Sequence, residues 1–374
     1  MRKEKISVLF ETITPVYTGD AWQNCTELRP SSILGSLRFW FEVLCYFKGE
    51  IGETYFDKDG KPCENLNYKK FKEKLEEKLK NSQSKSIEEL EDEVLADMGI
   101  SLPSRIFGCT GWRGRIRIKK IEPIEDYCFG NRLNLPYAIG VNKENNENNE
   151  SKESKENVEV KEWQTKNEYD QFIEEKYSRD NKKFKKDWSV WYFPHPYFYG
   201  KFKVIFETDE KTKEAVLVPL LNIIEKYGYL GGKWNLGYGR VKILNNGWEK
   251  DKTTFELCNF GNLNDFDFKD IVNDKVSNFE ELIKKEKKIL ILRENVDGGN
   301  FKEIIKELIK IKAQKRKEHK DNDGNREERH QLFGYHKPTQ GTKILPYIYE
   351  ENGKLKGGFI SIAGILNMKG GYNE

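Results

Sequence analysis

The stretch FKVIFETDEKTKEAVLVPLLNIIEKYGYLGGKWNLGYGRVKIL, residues 202–244, decides the fold because it holds a strand, a helix, a glycine-rich loop and another strand. Phe202 to Glu207 predicts a strand, and Ala215 to Tyr227 predicts a mainly apolar helix. Because proline fits a helix only in its first turn, Pro219 places the start of this helix near Leu217. Residues 240–244 predict the strand that follows the loop.

The loop at residues 231–240 has a composition typical of RNA contact. Glycines let the backbone approach a phosphate, cations neutralise it, and aromatic rings stack on unpaired bases. The glycines are Gly231, Gly232, Gly237 and Gly239, the cations are Lys233 and Arg240, and the aromatics are Trp234 and Tyr238. The alternative is a tight helix-to-strand connection with cations at chance positions. Without a strict phosphate-binding signature, the loop alone leaves both interpretations open.

Upstream, Lys5 to Ile13 alternates apolar and polar residues as a half-buried strand does, and Thr14-Pro15 ends it. Pro30-Ser31-Ser32 then predicts a helix start. The apolar residues at helical spacing are Ile33, Leu34, Leu37, Trp40, Phe41 and Leu44. The order strand, helix, strand, strand, helix, loop, strand is the ferredoxin-like arrangement, which the RRM shares. The aromatic sheet-face signature of an RRM is missing, so RNA contact is expected from loops and helix edges.

Residues 102–118 predict a glycine-punctuated loop that leads into a strand. A strand repeats every two residues, so Arg113, Arg115 and Arg117 would share one face. Any one of them fits a solvated basic face. Three aligned guanidinium groups beside Trp112 favour phosphate contact.

The chain is predicted to be an α+β protein with tandem ferredoxin-like (βαββαβ) domains and helical and disordered insertions. Residues 1–245 form the first domain, with insertions near residues 50–100 and 142–187, and the first half of the second insertion is predicted to be disordered. Residues 246–374 form a second, reduced domain. There, a hairpin is expected around Asn352-Gly353.

Composition narrows the function classes. Lys plus Arg number 65 against 62 Asp plus Glu, so the net charge of +3 excludes a generally basic coat protein, and an RNA surface must arise from local charge segregation. No apolar run is long enough to span a membrane and no signal-peptide core is present, so a cytoplasmic location is expected. The six cysteines form no Cys-x-x-Cys pair, and the histidines stand apart from paired cysteines. We therefore predict no metal and no cofactor.

Three further stretches carry a family resemblance: residues 14–19 (TPVYTG), 28–41 (LRPSSILGSLRFWF) and 105–112 (RIFGCTGW). They resemble the RAMP proteins of CRISPR effector complexes, most closely the first-numbered RAMP subunit of the Cmr, or type III-B, complex. Residues 231–240 then resemble the glycine-rich loop of that family. The resemblance covers most of residues 1–245 and is looser from Phe333-Gly334 onward.

The resemblance implies two ferredoxin-like folds, assembly with other Cmr subunits, and contact with guide RNA, or its duplex with target RNA, near the guide 3′ end. It implies RNA binding in antiviral defence without catalysis. The RNA-binding residues predicted are Arg38, Arg105, Arg113, Arg115, Arg117, Lys233, Trp234, Tyr238 and Arg240. For Arg38 the alternative is a salt bridge that fixes its helix to the sheet. Trp40 is expected in the core.

Two rival functions come from other classes. A related RAMP branch cleaves precursor guide RNA without metal, and a general acid and base here would come from His195, His330 or Tyr335. The histidine near the first strand that this branch often uses is absent. A protein-binding adaptor would explain the balanced charge, but it would leave the arginine cluster and the glycine-rich loop unexplained.

Overall fold

Two four-stranded sheets organise the chain in this computed structural model. The structure describes residues 3–52, 55, 64–81, 85–142, 159–245, 252–261, 263–323, 326–335 and 341–367. The helices are α1 (Pro30–Lys48), α2 (Tyr68–Asn81), α3 (Ile87–Asp97), α4 (Leu102–Phe107), α5 (Lys166–Tyr177), α6 (Asn181–Asp187), α7 (Glu210–Thr212), α8 (Val218–Lys226), α9 (Phe279–Leu282), α10 (Phe301–Asp323) and α11 (Arg326–Phe333). A π-helical turn, Lys213–Leu217, joins α7 to α8.

The strands follow in the same chain order. They are β1 (Glu4–Thr12), β2 (Arg117–Pro123), β3 (Cys128–Gly130), β4 (Ala138–Asn142), β5 (Val160–Trp163), β6 (Trp188–Tyr192), β7 (Tyr197–Tyr199), β8 (Lys201–Thr208), β9 (Val241–Asn245), β10 (Thr254–Phe255), β11 (Phe266–Asp267), β12 (Val272–Val276), β13 (Ile289–Asp297), β14 (Ile344–Glu351) and β15 (Lys354–Ser361). The mixture of helices and small sheets confirms the predicted α+β class.

The first sheet has the strand order β2-β8-β1-β9, and every neighbouring pair is antiparallel. The connection from β1 through α1 to β2 passes over β8, and that from β8 through α8 to β9 passes over β1. Both are split β-α-β units. The predicted order of strands and helices in residues 1–245 is therefore confirmed.

Alternation along the strands sorts this sheet into two faces. Val8 and Phe10 of β1 and Phe202 of β8 are buried in one cluster with α1 and α8. On the opposite face, Glu207 pairs with Arg117 and Lys119. The described strands carry ion pairs there instead of exposed aromatic rings, as expected for a sheet without the RRM signature.

The second sheet has the order β12-β13-β15-β14. β13, the helices α10 and α11, β14 and β15 form one split unit, but β12 precedes them in the chain and runs parallel to β13. Only part of this sheet therefore follows the expected ferredoxin-like pattern. The hairpin prediction is confirmed: Asn352 (φ 52°) and Gly353 (φ 73°) both have the positive φ that a two-residue turn needs.

The second sheet is buried on both faces. Ile289 and Ile291 of β13 join the cluster that contains α1 and α8. Leu290 and Leu292 point the other way, into a cluster with Ile305 and its apolar neighbours on α10. The described core thus has sheets and helices in alternating layers, which places the loop before β9 between the two sheets.

Two insertions differ from the sequence prediction. The helical pattern at residues 68–98 divides into α2 and α3, and Ser86 starts α3 with a capping box. Residues 159–192 are ordered, since β4, β5 and β6 form a sheet that packs with α5 and α6 around Trp163, Phe172 and Trp188. The sequence prediction missed this aromatic core. Of the first half of that insertion, which was predicted to be disordered, residues 143–158 lie outside the described residues, whereas β5 shows that the prediction is wrong at Val160–Trp163.

Among the helices in the described ranges, none combines the length and the apolar character needed to cross a membrane.

Candidate nucleic-acid interface

The glycine-rich loop divides into two halves at Leu236. Residues 231–235 are half-buried or exposed, whereas Leu236 to Arg240 are buried. Gly237 lies against Ile348 of β14 and Ile305 of α10. Only the first half of the loop can therefore meet a ligand from solvent.

The backbone amides of the four glycines donate within the protein. Gly231 N–H bonds Ser36 Oγ at 2.9 Å, and Gly232 N–H bonds Tyr17 O at 2.7 Å. Gly237 N–H bonds Trp234 O, and Gly239 N–H bonds Pro15 O at 2.7 Å. Each of these amides already has an acceptor, so the predicted approach of the four glycines to a phosphate gains no free N–H donor from them.

Gly231→Ala is expected to lower the free energy of unfolding by about 2 kcal/mol or more. Gly231 has φ +80°, and an added Cβ would lie 2.5 Å from Tyr17 O. Gly35→Ala is the matched control, since Gly35 lies in α1 with no atom within 4 Å of an added Cβ. The control should gain about 0.5–1 kcal/mol. Urea unfolding of both variants checks this, and equal stabilities would contradict it.

Tyr238 and Arg240 do not face solvent. Tyr238 is fully buried and packs against Tyr197 and Phe301. Arg240 is 2% exposed, and its guanidinium donates to five backbone carbonyls. The acceptors are Ile224, Glu225, Lys226, Gly228 and Ile348. Their burial does not fit the RNA contact predicted for these two residues, and it gives them a packing role between the sheets.

Trp234 is half-buried in an aromatic group. Its ring centroid lies 5.0 Å from that of Phe39, 6.0 Å from Trp40 and 5.9 Å from Tyr229. Trp40 is fully buried, which confirms its predicted place in the core. Trp234 keeps part of its surface accessible beside the first half of the loop.

Lys233 is the accessible cation of the loop. It holds the left-handed conformation (φ 64°), and its Nζ lies 5.7 Å from the centre of the Tyr17 ring. No carboxylate of the described residues pairs with it. A 3₁₀ turn, Trp234–Leu236, follows, and within the described structure the N–H groups of Lys233, Trp234 and Asn235 have no acceptor. Lys233 and these amides form an unsatisfied cationic rim.

Trp22 is an exposed aromatic residue that the sequence prediction missed, and its turn is bonded to Tyr17. It is 82% exposed at the tip of the loop between β1 and α1. Asp20 accepts from the N–H of Trp22, and Tyr17 donates to Gln23 O at 2.7 Å. The turn that carries Trp22 is thus fixed to the same tyrosine that lies under Lys233. A single tryptophan in a polar stretch was the signal available in the sequence.

Arg38 fits the alternative interpretation, in which its side chain holds α1 in place. It connects α1 to α4, however, and not to the sheet. Its Nε bonds Glu42 at 2.6 Å, and its Nη2 bonds Tyr55 and Ser104. A further N–H donates to Gly108 O. The guanidinium is therefore largely occupied within the protein.

Arg113, Arg115 and Arg117 do not line one face of a strand, which corrects their predicted alignment. The strand begins only at Arg117, which pairs with Glu207 at 3.4 Å. Arg105 is 3% exposed and bonds Asp92 at 2.5 Å, while Arg115 lies 3.6 Å from the same carboxylate. Arg113 alone is exposed, with no partner among the described residues.

Two of the three residues weighed for catalysis, His330 and Tyr335, are in ring contact, and His195 lies on a different part of the fold. His195 precedes β7, is half-buried, and has Nε2 3.3 Å from Pro136 O; burial lowers its pKa. His330 lies on α11 with its ring stacked on Tyr335 at 3.9 Å. No described group of His, Cys, Asp or Glu is arranged to hold a metal ion.

Comparison with known proteins gives the class. The model of the RAMP superfamily matches residues 9–242, which is more than half of the chain. The chain therefore belongs to the RAMP superfamily. A similar solved structure is apo Cmr1 from Pyrococcus furiosus, with 14% identity, 96% of this chain and 87% of that chain covered, and a TM-score of 0.37. No curated protein matches the chain.

Proposed function

We propose that this chain is a non-catalytic RNA-binding subunit of a type III-B (Cmr) CRISPR effector complex in the cytoplasm. It would contact guide RNA, or the guide–target duplex toward the guide 3′ end, and assemble with other Cmr subunits. Membership of the RAMP superfamily supports the class. The resemblance of residues 14–19, 28–41 and 105–112 to the first-numbered subunit supports the particular complex.

The observation that carries the proposal is the cationic rim at Lys233. A phosphate seated there would accept from the N–H groups of Lys233, Trp234 and Asn235, which have no acceptor within the described structure. The Lys233 ammonium would add charge without first breaking an ion pair. Such bonds to an anion are short and about twice as strong as neutral ones.

Accessible aromatic surface in the rim and on the turn bonded to Tyr17 supports RNA over a free anion. Trp22 is almost fully exposed, and Trp234 keeps one accessible part. Stacking of a base on such a ring contributes about 1–3 kcal/mol and tolerates any base. A ligand that combines phosphates with flat bases therefore fits this loop better than an acidic peptide does.

The two sheets support a two-domain organisation with the boundary near residue 245. The first sheet has the complete split arrangement, and the second keeps one split unit with a parallel edge strand. We include tandem ferredoxin-like domains in the proposal on this basis.

Lys233→Gln is expected to weaken RNA binding about tenfold, the size typical of a hydrogen bond between charged groups. The slope of log affinity against log salt should fall by about 0.7, because one single-strand phosphate contact is lost. Fluorescence anisotropy of a labelled single-stranded RNA over a salt series measures both quantities.

The matched control is Lys80→Gln, an exposed lysine in the last turn of α2. It removes the same charge from a distant surface and should leave both quantities unchanged. Equal effects of the two substitutions would indicate general electrostatic attraction and would exclude a site at the loop. Electrophoresis of the same RNA, with and without EDTA, tests the endoribonuclease alternative, which predicts discrete cuts that do not need metal.

A further inference from the structure

The C-terminal half of α10 and the helix α11 bring several basic side chains together. Lys312 and Arg316 lie one turn apart on α10, and Arg329 and His330 lie on α11. Lys312 is 5% exposed and donates to Thr342 Oγ1 at 2.9 Å and to Ile344 O. Burial, and to a smaller extent the charge of Arg316, together lower the pKa of Lys312 to about 7. Positive charge is therefore crowded at this place.

Arg316 has no acidic partner among the described residues, although Tyr335 partly offsets the effects of burial and Arg329 on its pKa. It is half-buried, and its guanidinium makes neither an ion pair nor a hydrogen bond with a described residue. Burial lowers its pKa, and Arg329 adds to that effect. Nearby carboxylates are engaged elsewhere, since Glu318 pairs with Lys315 and Glu328 pairs with Lys285. A partly desolvated guanidinium is normally paired, so this one is a candidate to receive an anion.

A flat aromatic surface borders the cluster. The rings of His330 and Tyr335 are nearly parallel, with centroids 3.9 Å apart. Arg329 Nη2 lies 3.5 Å from His330 Nε2. Burial lowers the pKa of His330, and the charges of Arg329, Arg316 and Arg326 act in the same direction, which favours the neutral imidazole. A neutral ring pair beside a guanidinium suits a nucleotide, whose base stacks while its phosphate meets the charge.

We propose that Arg316, flanked by Arg329 and the stacked His330 and Tyr335, forms a second phosphate-binding site for RNA. The inference rests on the proposed function, because it takes the ligand to be the RNA that also contacts Lys233. The same helix links the two places: Ile305 of α10 contacts Gly237 of the glycine-rich loop. Arg316 follows 11 residues later, about 16 Å along the helix.

The test uses the full chain and labelled single-stranded RNA over a salt series. Arg316→Gln should weaken binding about tenfold and lower the salt slope by about 0.7. Arg316→Lys should keep the slope, since the charge stays, but lose part of the affinity, since the planar donor pair is lost. Arg179→Gln is the control, an arginine whose side chain is 76% exposed on another part of the chain. Circular dichroism shows whether each variant is folded.

The outcomes separate this inference from the proposed function. If Lys233→Gln weakens binding and folded Arg316→Gln behaves as the wild type does, the second site is excluded and the proposed function stands. If the wild type binds no RNA, both fail. The thermal unfolding temperature, measured with and without inorganic phosphate, shows whether the site binds a free anion instead of RNA. Phosphate could stabilise the wild type but not Arg316→Gln, while both bind RNA equally well. This result would overturn the assignment of the site to RNA.

Discussion

Arg240→Met is expected to lower the free energy of unfolding by about 3–5 kcal/mol, the range seen when one partner of a buried charged network is removed. The guanidinium donates to four carbonyls at and just beyond the C-terminal end of α8 and to Ile348 O of β14 at 3.0 Å. Among the described residues, no carboxylate forms an ion pair with Arg240. Removal of the side chain takes a donor from five carbonyls. Ile224 O and Lys226 O keep a donor in Gly228 N–H and Tyr347 Oη, but each carbonyl left unpaired costs about 1–3 kcal/mol before relaxation.

Urea unfolding of the purified chain measures the effect. Arg179→Met is the matched control, because this arginine is exposed and pairs only with Glu174 among the described residues. It should change stability by less than about 0.5 kcal/mol. Arg240→Lys should be intermediate or as harmful, since one ammonium has three donors for five acceptors. A stable Arg240→Met with weakened RNA binding would refute the packing role and restore the original prediction.

Asp92→Ala is the second large effect, with an expected loss of about 3–5 kcal/mol. Asp92 is 2% exposed and is the carboxylate that Arg105 and Arg115 both approach, at 2.5 Å and 3.6 Å. Without it, two largely buried guanidinium groups lose the carboxylate that they share as their ion-pair partner. Arg105 also donates to Phe260 O at 3.3 Å, so the cost would spread to the segment after β10. Thermal and urea unfolding measure this loss.

A double-mutant cycle shows whether the loss comes from the unpaired charge. Arg105→Met alone should be destabilising, but Arg105→Met combined with Asp92→Ala should cost less than the sum of the two single changes. Glu174→Ala serves as the control, since its ion pair with Arg179 is exposed and should contribute less than about 1 kcal/mol. Strictly additive losses would mean that Asp92 and Arg105 act independently.

Local patterns predicted the first sheet well because its strands and helices each bury one face. The alternation in residues 5–13 and the apolar spacing in α1 reflect direct contact with the core, so periodicity was sufficient there. The hairpin was likewise predicted by Asn352-Gly353, where local backbone geometry decides. The second sheet was predicted less well because the parallel pairing of β12 with β13 depends on contacts distant in sequence.

The candidate site was predicted only in part, because side-chain type does not tell which side of a loop faces solvent. The composition of residues 231–240 suits RNA and suits close packing equally well. Tertiary contacts bury Tyr238 and Arg240 and leave Lys233 accessible. Arg105 and Arg115 have the charge expected of a phosphate contact. In the structure both form ion pairs with Asp92, which precedes them in the chain and lies on α3. Trp22 was missed since no periodic pattern marks an exposed loop tip.

The bonds across residue 245 mean that neither half of this chain is a portable module. Tyr229 Oη donates to Pro346 O at 2.8 Å, and Tyr347 Oη donates to Lys226 O at 2.9 Å, beside the bond from Arg240 to Ile348. A fragment ending at residue 245 would lose the hydrogen-bond partners Pro346, Tyr347 and Ile348 and uncover the apolar residues that meet the second sheet. Gene truncation, fragment expression and transplantation of the glycine-rich loop into another scaffold would therefore have to retain both sheets.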